Sequence, residues 1–261
     1  MNVENPIVLV TRPVEQGLAF IKRIKEKGIN AKAFPCIEIQ AVDLNESLTG
    51  VLNSLREYDL IIFISANAVQ HGARVLAQYD LKPASITTKI ATIGKATLDA
   101  AVQIGFDVTI SPDNGFNSEA LLALGICQQK HIKDKRCLIF RGVGGLETLA
   151  TELKKRGAQV DYAEVYQRSK PEHDLYLSRF ELSRDWLQFN ISVITATSNE
   201  SIQNLYDMIV APGKKDMLET KLVVASRRGV ELAQSLGFIS IQCAQSAMNQ
   251  HMLQALEIEL N

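Results

Sequence analysis

The sequence predicts an α/β protein of two similar, doubly wound domains with parallel sheets, and three observations carry that prediction. The first is internal repetition in a chain of 261 residues: ATIGKATLDAAVQIGF at 91–106 returns without gaps as VVASRRGVELAQSLGF at 223–238, an offset of 132. At that offset Asn67 falls on Asn199, and NSEALLAL from Asn117 falls on NQHMLQAL from Asn249. Nearer the amino end the offset is 129, which maps Arg12 in LVTRP to Arg141 in LIFRG and Gly28 to Gly157. Self-similarity at a fixed spacing marks a duplicated unit. The second observation is a series of short, continuous apolar runs, the pattern of strands buried on both faces. The third is that each run is followed by a short loop and then by apolar residues at helical spacing, so that strands and helices alternate.

Residues 7–11 (IVLVT) are the first such run, and 14–27 follow with helical periodicity up to Gly28, giving one βα unit. Residues 31–39 read as one further extended segment, in which Pro35 is tolerated because an edge or connecting strand can spare an N–H. An amphipathic helix is expected over 44–56, a buried strand over 60–64 (LIIFI), a helix over 66–79 and a strand over 89–93. Residues 94–97 make a turn in which Thr97 is placed to cap the next helix. A short strand at 108–110 leads to a loop at 111–115 (SPDNG), and Ser118 opens a helix with Glu119 in its first turn, where an acid suits the helix dipole. The second half keeps the order: strand 136–140, helix 146–156, extended segment 159–168, helix 175–188, strand 192–196, helix 200–209, strand 221–225 and helix 230–235.

Composition excludes several classes. With 46% hydrophobic and 22% charged residues the chain reads as an ordinary soluble globular protein. Its net charge of −1 supplies no basic field to attract nucleic acid or an anionic membrane, so any anionic ligand must be held by local groups. No apolar run approaches the ~20 residues of a membrane span, and the amino end lacks the pattern of a secretory signal, so a cytoplasmic location is expected. Cys36, Cys127, Cys137 and Cys243 are widely spaced and form no CxxC, which favours reduced thiols. His71, His131, His173 and His251 form no HExxH or HxH pair, so no metal site is expected.

Candidate functional residues lie where strands end and helices begin, since ligands of doubly wound sheets meet the loops at the carboxyl ends of the strands. Four loops qualify: Ser65 to Asn67, Gly94 to Thr97 (with Lys95), Thr197 to Asn199 (with Ser198), and Ser226 to Arg228. Each offers free N–H groups, a hydroxyl and the positive end of a helix dipole, which suit carboxylates or phosphates and equally suit simple helix capping. RGVGG at 141–145 invites a dinucleotide reading, but the third glycine of GxGxxG would fall on Glu147, so the motif fails. Gly142 there allows either a tight turn or a close backbone approach to an anion. Arg12 and Arg141 can each hold a carboxylate of their own domain or one of a ligand. Tyr166, in the extended AEVYQRSKP, is by spacing a half-buried packing residue. Its phenol can also donate a hydrogen bond or a proton to a leaving hydroxyl.

Taken in order, LVTRP at 9–13, FPCIEI at 34–39, DLIIFISANAV at 59–69, TIGKAT at 92–97, IFRGVGG at 139–145, VYQR at 165–168 and TSNE at 197–200 resemble the uroporphyrinogen-III synthases over nearly the full length. The resemblance implies a first, discontinuous α/β domain (1–35 and 170–261), a second domain (40–165), and a two-stranded linker near 34–40 and 165–170, with the active site in the cleft between domains. It implies conversion of the linear tetrapyrrole hydroxymethylbilane to uroporphyrinogen III, in haem biosynthesis, without metal or cofactor. The ring A hydroxyl leaves as water to give an azafulvene, ring D attacks through its substituted α-carbon to form a spiro intermediate, and ring D then closes inverted. It implies Tyr166 as the general acid. By the same resemblance Ser65, Gly94, Thr97, Thr197 and Ser198 match positions lining the cleft of a monomer; Arg12, Asn67, Lys95, Arg141, Gly142, Ser226 and Arg228 join them as candidate substrate-binding residues from their places at strand ends and helix starts. Ser226, Arg227 and Arg228 depart from the Gly-x-Thr type turn of many members. A competing expectation is a non-catalytic two-lobed protein that closes on a small ligand. A nucleotide-dependent enzyme is disfavoured because no complete phosphate loop occurs.

Overall fold

The computed structural model describes residues 7–113 and 117–260. In chain order the elements begin β1 (Ile7–Val10), α1 (Val14–Glu26), β2 (Asn30–Ala33), β3 (Glu38–Ala41), α2 (Glu46–Asn53), β4 (Leu60–Phe63), α3 (Ala66–Ala77), β5 (Lys89–Thr92), α4 (Lys95–Ile104) and β6 (Val108–Ile110). They continue α5 (Ser118–Ala123), α6 (Gln129–Ile132), β7 (Arg136–Gly142), α7 (Thr148–Lys155), β8 (Gln159–Ser169) and α8 (Arg179–Arg184). The last are β9 (Ile191–Ala196), α9 (Asn199–Met208), α10 (Gly213–Glu219), β10 (Lys221–Val224), α11 (Arg227–Ser235), β11 (Ile241–Cys243) and α12 (Asn249–Leu260). The chain divides into two compact units: one takes in the chain up to Glu38 and from Ser169 onward, the other is Ile39–Arg168.

Each unit holds one sheet. In the first the strand order is β11-β10-β9-β1-β2, and in the second β3-β8-β7-β4-β5-β6. All the pairings within the first five-stranded sheet, and those from β8 to β6 in the second, are parallel. The repeat is visible here, since β5 and β10 start 132 residues apart, as do α4 and α11, while β7 and β1 start 129 apart. Superposing these partners, β2-β1-β9-β10-β11 corresponds to β8-β7-β4-β5-β6. In each unit a βαβ step runs one way from the middle of the sheet and a βαβαβ stretch runs the other. The order reverses between β1 and β9 in the first unit and between β7 and β4 in the second.

The continuous apolar runs have a simple cause: both faces of each sheet are covered. Along β4 and β7, Ile61, Phe63, Leu138 and Phe140 enter one apolar cluster while Leu60, Ile62, Cys137 and Ile139 enter another. In the first unit Leu9, Ile194, Leu222 and Val224 face one cluster, and Val8, Val10, Val193 and Val223 face the other. At about 1.5–3 kcal/mol for each fully buried aliphatic side chain, these alternating faces are the main driving force for the layering.

Three expectations need correction. Residues 31–39 are two strands in different sheets, β2 and β3, with Pro35 in the connection between them. The expected helix at 175–188 is reduced to α8. Arg179 ties the Asp174 carboxylate and the carbonyls of Pro171 and Glu172, which competes with helix upstream. The helix then ends at Asp185, which lets Trp186 enter the core and donate to Thr220 Oγ1 at 2.9 Å. Thr97 lies inside the first turn of α4, whose cap is Gly94. The expected loop at 111–115 falls partly outside the described residues. The four cysteines are free, and among the described residues no helix is long and apolar enough to cross a membrane.

Candidate functional site

The carboxyl ends of the strands beside the order reversal carry Arg12, Thr197 and Ser198 in the first unit and Ser65, Asn67, Arg141 and Gly142 in the second, while Gly94, Lys95 and Thr97 follow β5, Ser226 and Arg228 follow β10, and Tyr166 lies in β8. In doubly wound sheets this reversal leaves a crevice where ligands bind.

In the second unit Tyr166 is the centre of the arrangement. Alternation along β8 sends Val160 and Tyr162 to one apolar cluster and Ala163 and Val165 to the other. Tyr166 would therefore fall with Tyr162, yet it packs in the cluster of Ala163 and Val165. The cause is a β-bulge. Arg141 pairs with Glu164 and Gly142 with Tyr166, so Val165 is an extra residue in β8. Bulges re-aim a side chain in this way and are common beside functional sites. The Val165 carbonyl accepts from Val42 N–H at 3.2 Å and the Tyr166 carbonyl from Val143 N–H at 2.8 Å, so the irregularity leaves both groups satisfied.

Re-aimed, Tyr166 is 3% exposed, and its hydroxyl lies 3.2 Å from Ser65 Oγ. Ser65 caps α3 and accepts from Ala68 N–H at 3.0 Å, which fixes its oxygen. A hydroxyl has one proton and two acceptor positions, so Ser65 can accept from Ala68 and still turn its own proton to the phenol oxygen. The face of the tyrosine ring is set by Gly142, where an added Cβ would lie 2.7 Å from Tyr166 Cε2 and 2.8 Å from Cζ. The ring of buried His71 stands 5.5 Å away, tilted by 31°. In the sequence His71 belongs to no HExxH or HxH pair. Its place on the apolar face of α3, with Ala68 and Val75 at helical spacing, is the signal that turns it inward.

The other second-unit residues behave differently. Gly94 is buried at the start of α4 and Thr97 is 5% exposed within it. Lys95 is exposed and paired with Asp99 at 2.6 Å, and Asn67 is half-buried in the first turn of α3. Arg141 is 2% exposed and its guanidinium is occupied: Nε donates to Gly142 O at 3.2 Å, Nη1 to Glu147 Oε1 at 2.7 Å, and Nη2 to Gly145 O. It stacks over Tyr162, 4.4 Å from the ring centroid, and the Tyr162 hydroxyl donates to the other Glu147 oxygen. Glu147 is held below the usual carboxylate range by Tyr162 and Arg141, and burial with the Glu147 bond pushes the Tyr162 phenol up to about 12.

In the first unit Arg12 is 7% exposed. It donates to Asn249 Oδ1 at 2.6 Å and Ala247 O at 2.7 Å, and lies over Phe20, 4.7 Å from the ring centroid, while its buried Nε has no hydrogen-bond partner. Burial lowers its pKa to about 10, which leaves it charged at neutral pH. Of the two duplicated arginines, then, each grips a loop of its own unit. Ser198 caps α9, accepting from Ser201 N–H at 3.1 Å, with half-buried Thr197 before it. Ser226 caps α11, accepting from Gly229 N–H at 3.2 Å, and Ser226 and Arg228 are exposed. In each cap the hydroxyl takes one amide, and the helix start has further first-turn amides without an intrahelical partner, which is the arrangement that suits an anion.

A family model described as uroporphyrinogen-III synthase HemD matches residues 19–254. The uroporphyrinogen-III synthase of Salmonella typhimurium (strain LT2) is 34% identical over 252 residues, which covers 96% of this chain and 99% of that protein. That of Escherichia coli (strain K12) is 33% identical over 251 residues, with the same coverage of 96% and 99%. Among solved structures, uroporphyrinogen-III synthetase from Helicobacter pylori gives a TM-score of 0.63 at 16% identity, over 99% of this chain and 100% of that one. A mutant uroporphyrinogen III synthase from Thermus thermophilus gives 0.59 at 15%, over 98% of both chains. At those identities the structural likeness speaks for the fold.

Proposed function

The chain belongs to the uroporphyrinogen-III synthase family, and on that premise we propose that it cyclises hydroxymethylbilane to uroporphyrinogen III with loss of water and inversion of ring D. The observation that carries the chemistry is the Tyr166 hydroxyl, set 3.2 Å from a serine oxygen that is itself fixed by a backbone amide. Tyr166 gives its proton to the departing ring A hydroxyl, and Ser65 turns its own proton to the phenolate that forms. The substrate closes unaided to the non-inverted isomer, so the larger task is orientation, which needs neither a strong base nor a cofactor.

The substrate carries eight carboxylates, and a chain of net charge −1 meets them locally. The first-turn amides behind Ser65, Gly94, Ser198 and Ser226 are the proposed donors, with Asn67, Lys95, Thr97, Thr197 and Arg228 beside them; Arg12 and Gly142 shape the loops. Lys95 and Arg228 add exposed charge, and breaking the Lys95–Asp99 pair costs little at an exposed site. The two compact units are taken as the two domains, with β3 and the end of β8 as the linker. The protein is proposed to act as a cytoplasmic monomer without nucleic-acid or membrane partners, in keeping with its net charge of −1 and ordinary composition. A test of the activity is the rate at which hydroxymethylbilane disappears. Protein freed of metal ions and nucleotides is expected to accelerate that loss in proportion to its concentration; loss at the spontaneous rate with folded protein would count against the proposal.

A further inference from the structure

We infer that Arg141 positions the Tyr166 hydroxyl through Gly142 and makes no contact with substrate, an inference that rests on the reading of Tyr166 as proton donor. Its place at a strand end makes Arg141 a candidate for holding a substrate carboxylate, but the guanidinium fills the inside of the 142–145 loop. Three of its nitrogens are bound to Gly142 O, Glu147 Oε1 and Gly145 O, and Nε also stands 3.6 Å from Glu164 Oε1. A Cβ on Gly145 would sit 3.1 Å from Nε and Nη2, so the loop is wrapped closely around the side chain. The planar group lies on Tyr162, and Gly144 N–H donates to Glu164 at 3.4 Å. A substrate carboxylate would have to displace these partners from a group that is 2% exposed.

What the arch does hold in place is Gly142. That residue accepts from Arg141 through its carbonyl and lies against the tyrosine ring at the bulge. The order of contact is Arg141, Gly142, Tyr166, Ser65. A shift of Gly142 toward the ring displaces the hydroxyl from Ser65, and a shift away leaves the ring free to rotate. Lysine cannot reproduce the arrangement, because its three donors sit on one nitrogen where arginine uses three, and it has no planar face to lay on Tyr162.

The test is a double-mutant cycle on the full chain, with kcat and KM measured separately. Arg141→Lys is expected to lower kcat about tenfold with KM within about twofold, since a small misplacement of a reacting group is costly. In a Tyr166→Phe background the same substitution is expected to change kcat by less than about twofold, because its effect passes through the hydroxyl. Equal losses in both backgrounds, a rise in KM as the main effect, or an unchanged kcat in the parent would overturn the inference. Should Arg141→Lys fail to fold, Glu147→Gln at a side chain 63% exposed is the second variant, with a loss of about threefold and the same non-additivity expected. An unaltered rate for Tyr166→Phe alone would instead overturn the tyrosine reading, and so the two failures are separable.

Discussion

Tyr166→Phe is expected to lower kcat by about 10²-fold, the lower end of what general acids contribute, because the substrate cyclises unaided. KM is expected to stay within about twofold, since the phenol acts on the departing hydroxyl and the amides of the helix starts hold the carboxylates. Stability should change little. Ser65 Oγ keeps its bond from Ala68 N–H, so the loss is one hydroxyl contact, about 1 kcal/mol. Steady-state kinetics beside a thermal melt decides the matter. An unchanged kcat, or a protein that no longer folds, removes Tyr166 from the mechanism.

Gly142→Ala is expected to damage both stability and rate. The new Cβ would stand 2.7 Å from one ring carbon of Tyr166 and 2.8 Å from another, distances that require movement. The ring is buried in the cluster with Val165 and Phe140 and beside His71, so it has no loose end to yield. Overpacking of this kind costs about 1–3 kcal/mol. A displacement of the hydroxyl approaching 1 Å can cost about 10²-fold in rate, comparable to deleting it. Denaturant unfolding and kcat are measured on the same preparation. Gly50→Ala, where an added Cβ meets nothing within 4 Å, serves as the control and is expected to keep wild-type kcat. Wild-type stability and rate for Gly142→Ala would mean that the glycine does not set the ring.

The architecture was legible because its cause is local and repeated. Strands covered on both faces must be apolar throughout, and 60–64, 136–140 and 192–196 declared themselves by that rule. The duplication at offsets of 132 and 129 then fixed which elements correspond. What escaped was decided by contacts distant in sequence. Period-two reasoning along 159–168 puts Tyr166 on the side of Tyr162, and only the pairing with β7 shows that Val165 is extra. Residues 31–39 look continuous because sequence does not say that their two halves join different sheets. Arg12 and Arg141 were visible as duplicated arginines at strand ends. Their partners, Asn249 and Ala247 for one and the 142–147 loop for the other, follow from tertiary packing. The capping serines were the most readable site residues, since a hydroxyl just before a helix has a short-range role.

The central claim is that this chain directs ring closure toward inversion of ring D, and the product isomer reports on it most directly. Hydroxymethylbilane is generated in the presence of the purified protein without metal or nucleotide, the products are oxidised, and the type I and type III uroporphyrins are separated by chromatography. A product dominated by type III is the predicted result. Type I alone, formed at the spontaneous rate in the presence of folded protein, would contradict the account and favour a two-lobed protein that binds its ligand without converting it.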